Sequence, residues 1–227
     1  MRIASLTGLV LAVSVLAGCG GGSSSNGVAS KTPTQILAAA EAAATQASAV
    51  HISGSIVSNG TPLTLDLSLV AGKGGTGHMS TNGVGFDIVR VGDKAYIRGS
   101  EAFWTKFGNA AAAKLFKDKW LVGSATTGQF KALTPLTDLQ GFFKGALGSH
   151  GTLKKGAETT VDGQKVIALT DTAKGGTLYI ATTGKPYPIE LVSPGNGKQG
   201  TVTFDQWNKT VTITAPKGAI DLSKLTG

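Results

Sequence analysis

The sequence contains almost no cysteine, and this scarcity is its most informative feature. Of the 227 residues only Cys19 is a cysteine, so the chain cannot form an internal disulfide. Charged residues make up 15% and hydrophobic residues 41%, which excludes a charge-rich disordered chain. The 33 glycines follow no three-residue period, which excludes a collagen-like fibre. The composition therefore indicates a globular protein held together by noncovalent packing.

Motifs for catalysis and cofactor binding are also scarce. The segment 72–77 has the glycine spacing of a dinucleotide-binding loop, but a strand follows it where that motif requires a helix. His51, His78 and His150 lie far apart, with no Cys, Asp or Glu at metal-binding spacing. The 13 carboxylates are thinly spread, and neither a nucleophile elbow nor a Walker lysine-serine pair occurs. We therefore expect no enzymatic activity, no cofactor and no metal ion.

The N-terminus has the parts of a bacterial export signal. Met1-Arg2 is a positive start, residues 3–15 form a mostly apolar run, and Leu16-Ala17-Gly18-Cys19 ends it. The run has the length of a signal-peptide core and is too short to span a bilayer. The last four residues resemble the lipobox of bacterial lipoproteins, which implies that the Cys19 thiol is acylated and becomes the new N-terminus. The alternative is an ordinary cleavage site with an incidental cysteine.

The predicted organisation is a signal, a tether and one domain. Residues 1–18 are a lipoprotein signal peptide, and residues 19–31 are the lipidated Cys19 with a flexible Gly/Ser linker. Residues 32–227 form a single domain, and no later segment is apolar enough to cross a membrane. We therefore expect an exported protein, lipid-anchored at the periplasmic or extracytoplasmic face of the membrane.

Hydrophobic periodicity changes twice along the domain. Thr32-Pro33 opens a helix that runs to about Ser48, and the alternating leucines from Leu63 to Leu69 then indicate a strand with one apolar face. Gly83 to Gly99 is predicted to be a hairpin. The segment from Phe103 to Leu147, including Trp120, has helical spacing. Later strands are predicted at 164–170, 177–181, 187–192, 201–207 and 210–215. Strands on both sides of a helical block favour an α+β fold with an antiparallel sheet.

Lysines are concentrated in the helical block. Eight lysines occur between Glu101 and Lys155, opposed by only three carboxylates. One interpretation is a solvated face whose lysine stems cover apolar side chains. The other is a surface that contacts anionic lipid headgroups, for which the candidates are Lys106, Lys114, Lys117, Lys119 and Lys144. We expect no nucleic-acid partner, because the protein is exported and has no aromatic-basic binding motif.

Several stretches resemble the LolA-like envelope lipoproteins, in particular their LppX/LprG-type branch of lipid carriers. They correspond to a glycine turn, a strand and a tryptophan, to paired late strands, and to the C-terminal end of that family. The matching segments are 91–97 with Phe103-Trp104, 176–181 with 184–191, and 202–208 with 211–216. In element order the resemblance spans roughly residues 33–223.

The resemblance implies a half-open antiparallel β-barrel with helices packed on its concave face. Better-known members carry lipids or lipoproteins through the periplasm in an apolar cavity, so a hydrophobic lipid ligand is the expected partner. The candidate cavity-lining residues are Leu65, Leu67, Phe86, Ile88, Phe103, Trp104, Phe142 and Phe143. The same side chains would also suit an ordinary filled core.

Two functional hypotheses follow from this reading. The first is a membrane-anchored lipoprotein that binds hydrophobic lipid or lipoprotein cargo for transport or chaperoning. The second is a non-enzymatic envelope sensor or interaction protein that uses the same fold to bind a protein partner. An open apolar cavity favours the first hypothesis, and a closed interior beside an exposed apolar or basic groove favours the second.

Overall fold

A single twelve-stranded sheet dominates the computed structural model, which describes residues 24–58, 61–195 and 198–224. Its strands are β1 (Ala49–Ser58), β2 (Thr61–Val70), β3 (Gly74–Thr81), β4 (Val84–Val91), β5 (Lys94–Gly99), β6 (Trp120–Ser124), β7 (Leu153–Val161), β8 (Gln164–Asp171), β9 (Thr177–Ala181), β10 (Pro188–Gly195), β11 (Lys198–Asp205) and β12 (Ile220–Asp221). The spatial order is β12-β6-β5-β4-β3-β2-β1-β11-β10-β9-β8-β7, and every pair is antiparallel except β12 with β6. The two outermost strands are not neighbours in this order, so the sheet is open.

Helices cover one face of the sheet, which we call the inner face. They are α1 (Pro33–Thr45), α2 (Glu101–Phe107), α3 (Ala110–Phe116), α4 (Thr134–Thr137) and α5 (Leu139–Gly148). Helix α1 begins where the sequence predicts, because Thr32 and Gln35 form a capping box and Pro33 occupies the first turn. Its small alanine side chains allow a close approach to the sheet, and Ala40 and Ala44 are fully buried there.

A largely buried arginine, with 12% of its side chain exposed, holds α4 and α5 against the sheet. Arg90 on β4 donates from Nε to the Thr137 hydroxyl (3.1 Å) and from Nη2 to the Thr137 carbonyl oxygen (3.0 Å). Nη2 also donates to Asp138 Oδ2 (3.2 Å), and the other oxygen of Asp138 caps α5 by accepting from the Gly141 N–H. Gly75 lies next to Arg90 in the sheet, and a Cβ there would be 3.3 Å from the Thr137 Cα. Glycine at this position therefore permits the close contact.

The main hydrophobic core lies between α1, α5 and the middle strands. Phe143 of α5 is fully buried, with its ring centroid 5.4 Å from that of Phe204 on β11 and 5.3 Å from that of Trp207. The alternating leucines of β2 contribute Leu67 and Leu69, which are also fully buried. The period of two read from the sequence therefore corresponds to the inner face of β2.

Charged side chains cross the opposite, outer face in a row. Asp66, His78, Asp87 and Arg98 are successive cross-strand partners on β2 to β5. His78 Nδ1 lies 2.9 Å from one oxygen of Asp87, and Arg98 Nε donates to the other over 2.9 Å. Partial burial raises the pKa of Asp87, but hydrogen bonds and positive charge from these two partners outweigh it, so the net pKa is below the usual value.

His51 extends this row between two carboxylates. Its Nδ1 is 2.7 Å from Asp205 Oδ1, and its Nε2 is 3.1 Å from Asp66 Oδ1. Burial lowers the pKa of His51, but the hydrogen bonds and negative charges of both carboxylates raise it by more, so the net pKa lies above its ordinary value. His51 and its two neighbours lie on three different strands, and for that reason spacing in the sequence did not reveal the contacts.

Three segments differ from the sequence expectation. Trp120 begins strand β6 and does not continue the helical block. Strand β7 was not predicted, because it is an edge strand whose largely exposed residues show no apolar alternation. Residues 210–215 do not form the predicted strand, because β11 already pairs with β1 and β10. Instead, Ile213 packs on the outer face against a cluster that includes Tyr96.

The structure places part of the expected linker against the domain. Ser25 forms an isolated bridge with Thr183, and Val28 is buried in the main core. Lys155 Nζ donates to two carbonyl oxygens of the same segment, over 3.0 and 3.2 Å. The predicted signal peptide (1–18) and Cys19 lie outside the described residues.

The hydrogen bonds of Arg90 predict a large loss of stability when this residue is substituted. Arg90→Met removes the donor to the buried Thr137 carbonyl and to Asp138 Oδ2, so we expect the free energy of unfolding to fall by about 3 kcal/mol. Urea unfolding of the purified domain measures this change. The matched control is Arg98→Met on the exposed outer face, for which we expect a loss of about 1 kcal/mol or less. Equal losses in the two variants would contradict the proposed role of Arg90.

The position of His51 predicts a pH dependence of stability. A histidine with a raised folded-state pKa stabilises the protein fully below its unfolded pKa, and this contribution disappears as the pH rises through the folded value. Between about pH 6 and pH 8 the wild-type chain should therefore lose more stability than the His51→Gln variant. Urea unfolding across this range is the measurement, with His150→Gln as the control. Parallel curves for the wild type and His51→Gln would refute the prediction.

Candidate functional site

The predicted lining residues on the strands lie on the inner face and are packed against one another. Leu65, Leu67 and Ile88 belong to the main core, with Phe86 partly buried beside them. Phe143 packs into the same core, and its neighbour Phe142 lies 6.5 Å from Phe204, measured between ring centroids. These residues form the closed centre of the inner face.

The remaining two predicted residues form a second, aromatic cluster near β5 and β6. The ring centroids of Phe103 and Trp104 are 4.9 Å apart, and Phe103 is equally distant from Phe86. Trp104 also contacts Phe116 of α3, at 5.8 Å. The Trp104 indole N–H is buried and has no acceptor among the described residues, so this cluster carries an unmet hydrogen bond. None of the eight predicted residues lines either of the two cavities described next.

The larger cavity lies at the β6 edge of the sheet, and we call it the edge cavity. Its volume is about 750 Å³, within the range of small-molecule sites. The walls come from the β4–β5 turn, α3, β6, the loop after β6 and the C-terminal segment. The lining residues are Asp93, Lys94, Phe116, Val122, Gly123, Ser124, Thr127, Gly128, Gln129, Phe130, Asp221, Leu222 and Ser223.

The lining of the edge cavity is mainly apolar, with charges from turns at its margin. Phe130 folds over β6 because Gly123 has no side chain: a Cβ at that position would lie 2.9 Å from the Phe130 ring. Asp221 accepts hydrogen bonds from the hydroxyl and the backbone N–H of Ser223, and these bonds lower the pKa of its carboxyl group. Asp221 is therefore ionised at neutral pH. The cavity can hold an apolar body and present a polar margin to the head of the same molecule.

The smaller cavity lies between α1, α5 and strands β7 to β10, and we call it the leucine cleft. Its volume is about 170 Å³, and its apolar lining is Leu37, Ala146, Leu147, Leu153, Leu169, Leu178 and Leu191. At its mouth Asp171 accepts N–H bonds from Gly151, Ala173 and Lys174, which lower the pKa of its carboxyl group. The cleft is smaller than the usual ligand site.

The five predicted basic residues occupy two places. Lys106 lies on α2, Lys114 on α3, and Lys117 and Lys119 in the turn that follows, whereas Lys144 lies on α5. All five are exposed, and Lys117 forms an ion pair with Glu101 over 3.2 Å. Four of the five therefore share the α2–α3 hairpin (residues 101–119).

Within residues 24–58, 61–195 and 198–224, no group of three or more His, Cys, Asp or Glu side chains could hold a metal ion. Over the same ranges, no helix is both long and apolar enough to span a bilayer.

Sequence reasoning missed the edge cavity because its walls are distant in the chain. The parallel pairing of Ile220 with Leu121 brings the C-terminal segment to β6, and no periodicity in the sequence predicts that pairing. A local signal existed in Gly123, which ends the apolar run 120–122, and in Gly128, which lies five residues further on. It was not sufficient to locate a cavity.

Comparisons with known proteins identify the fold. No protein-family model and no curated protein matches the sequence. Among solved structures, LprF from Mycobacterium bovis superposes with a TM-score of 0.54 at 14% identity, over 82% of this chain and 97% of that chain. The Mycobacterium tuberculosis lipoprotein LppX gives a TM-score of 0.50 at 16% identity, over 81% of this chain and 100% of that chain. At such low identity these matches establish the fold alone.

The fold class predicted from the sequence is thereby confirmed. The twelve-stranded sheet is open and almost entirely antiparallel, and its helices pack on one face, as the resemblance implied. The similarity extends over nearly the whole length of both solved chains. This protein therefore has the LolA-like fold of the LppX/LprG type.

Proposed function

We propose that this protein is a lipid-anchored envelope protein that binds hydrophobic lipid or lipoprotein cargo for transport or chaperoning, without catalysis. The edge cavity carries the proposal, because its volume and apolar walls suit the hydrophobic part of one cargo molecule. The LolA-like resemblance supports it, since members of that family carry such cargo. LppX, which shares the fold, is itself described as a lipoprotein.

Apolar burial would supply the binding energy. Each methylene transferred from water to an apolar site contributes about 0.8 kcal/mol, so ten buried methylenes contribute about 8 kcal/mol before the costs of association. Phe116, Val122, Phe130 and Leu222 are the apolar surfaces available in the edge cavity. The charged margin at Lys94 and Asp221 would favour cargo with a polar head at one end.

Six of the eight lining residues predicted from the sequence, all but Phe103 and Trp104, enter the proposal as a second compartment. Phe143 now packs on Phe204 and Trp207, so cargo reaches Leu65, Leu67 and their neighbours only if α5 moves away from the sheet. The leucine cleft lies along the same helix and gives such a movement a starting point. We propose that longer chains widen the cleft by this movement.

The proposed anchor is Cys19, whose thiol receives a diacylglyceryl group and which becomes the new N-terminus when residues 1–18 are removed. A diacylglyceryl group supplies two chains, which hold a protein to a membrane far more firmly than one chain does. The anchor would give a role to the single cysteine of an exported chain, because one thiol alone cannot form a disulfide within the chain.

The packed centre of the inner face favours one alternative function. A closed apolar core needs no cargo, and the exposed lysines of the α2–α3 hairpin would then contact a protein partner. The protein would be a non-enzymatic envelope sensor or interaction protein. The experiment on bound lipid separates the two functions.

We expect lipid to co-purify with the protein and to be displaced by filling the edge cavity. The chain is produced from residue 19 with Cys19→Ser, so that acyl chains of the anchor do not contribute to the signal. Mass spectrometry of organic extracts then measures lipid per protein. Thr127→Trp places an indole in the edge cavity from an exposed position and should lower the lipid content several-fold.

The control for this experiment fills the other cavity. Ala146→Trp adds the same side chain at the exposed margin of the leucine cleft and should leave the lipid content unchanged. Loss of lipid in Ala146→Trp alone would move the cargo site to the cleft and overturn the assignment to the edge cavity. Absence of lipid from all three proteins would overturn the cargo function and favour the protein-binding alternative.

Cys19→Ser should also release the full-length protein from membranes. In cells expressing the full chain, we expect the wild type to incorporate a labelled palmitate analogue and to stay in the membrane fraction after a high-salt wash. The serine variant should do neither, because it lacks the thiol that carries the acyl group. Ser23→Ala, which leaves Cys19 in place, is the control. Equal labelling of wild type and Cys19→Ser would refute the anchor.

A further inference from the structure

The α2–α3 hairpin exposes two bulky hydrophobic side chains. Elsewhere in the described domain, large hydrophobic side chains are at least partly covered. Phe107 is 55% exposed and Leu115 is 54% exposed, and no other large hydrophobic residue in the described ranges is comparably open. Phe107 ends α2, and Leu115 lies in the last turn of α3. The two residues therefore belong to one short structural unit. They differ in this from the hydrophobic residues that occur singly on most protein surfaces.

The hairpin is built to hold these side chains in place. Ser100 caps α2 by accepting from the Phe103 N–H, and Asn109 caps α3 by accepting from the Ala112 N–H. Gly108 joins the helices tightly, since a Cβ there would lie only 2.8 Å from the Trp104 carbonyl oxygen. The exposure of Phe107 and Leu115 is thus a property of ordered, capped helices.

Lysines flank both exposed side chains. Lys106 Nζ lies 5.7 Å from the centroid of the Phe107 ring, and Lys114 directly precedes Leu115. Lys119 is exposed in the turn that follows, while Lys117 is paired with Glu101. Apolar side chains between lysines are the pattern of segments that lie at the surface of an anionic bilayer, where the basic residues are attracted to the lipid headgroups.

The same hairpin forms part of the edge cavity. Phe116, the residue after Leu115, lines the cavity and contacts Trp104 of α2. Successive residues on a helix point about 100° apart, so α3 presents Leu115 outward and Phe116 to the cavity wall. A bilayer that contacts the outer side of the hairpin would therefore lie next to the cavity.

We propose that the α2–α3 hairpin is the surface by which the domain docks on an anionic bilayer. Phe107 and Leu115 enter the headgroup region, and Lys106, Lys114 and Lys119 contact lipid phosphates. The hairpin thereby brings the edge cavity to the membrane that supplies or receives cargo. This last step rests on the proposed cargo function, whereas the docking itself does not.

The test uses the chain from residue 19 with Cys19→Ser, which has no lipid anchor. We expect this protein to sediment with vesicles of phosphatidylcholine and phosphatidylglycerol, and much less with vesicles of phosphatidylcholine alone. Phe107→Ser with Leu115→Ser should weaken binding to the anionic vesicles by about tenfold or more, because both apolar contacts are lost. Both positions are more than half exposed, and the unfolding midpoint of the variant shows whether the domain remains folded.

A single-cysteine label determines which surface touches the bilayer. The Cys19→Ser chain contains no cysteine, so Leu115→Cys provides one site for an environment-sensitive dye. Its emission should shift to shorter wavelength when anionic vesicles are added. The control is Thr160→Cys on β7, an exposed position at the opposite edge of the sheet, which should not respond.

Each outcome of these measurements counts for or against docking. Weak binding of the double variant together with a dye response at 115 alone supports the proposal. Equal binding of the parent and the double variant, or a response at 160 alone, overturns it. No vesicle binding by the parent chain also overturns it and leaves a protein as the occupant of the patch. If lipid still co-purifies in that case, the cargo function stands, so the two proposals fail separately.

Discussion

The hydrogen bonds of the Arg90 guanidinium hold α4 and α5 against the inner face of the sheet. One side chain donates to the hydroxyl and carbonyl of Thr137 and to the Asp138 carboxylate, 47 and 48 residues away in the chain. A planar guanidinium suits this task because its five N–H groups diverge in fixed directions. Since Asp138 also caps α5, the same group fixes where that helix starts. The burial of Phe143 against Phe204 then follows from the position of α5.

The position of α5 against the sheet separates the edge cavity from the leucine cleft. Packed side chains fill the middle of the inner face, and the edge cavity and the leucine cleft lie towards its two edges. The two spaces have different walls. The leucine cleft lies between helices and sheet, whereas the edge cavity is closed largely by a loop and the C-terminal segment. The edge cavity therefore lies away from the strand pairing in the middle of the sheet.

Local patterns predicted much of this fold, and long-range pairing accounts for what they missed. The leucine alternation of β2 and the cap at Thr32 act over a few residues, so the sequence carries them directly. Strand β7 was not predicted, because an exposed edge strand forms without an alternation of apolar and polar residues. Residues 210–215 have a strand-like alternation, but both neighbours of β11 are already in place, and this fact is visible only in the folded sheet. The walls of the edge cavity depend on the pairing of β12 with β6, which local patterns in the sequence do not predict either.

In the proposed anchored form, the contact of Ser25 with Thr183 limits the distance between the domain and its anchor. In the proposed anchored form, Cys19 is six positions before Ser25, which bridges to Thr183, so the free tether spans at most about 20 Å. A domain of this size has a radius of gyration of about 16 Å, so the tether is no longer than the domain is wide. The protein would thus remain in a thin layer above its own membrane. Molecules in that layer meet it at a high effective concentration, and molecules farther away must first approach the bilayer.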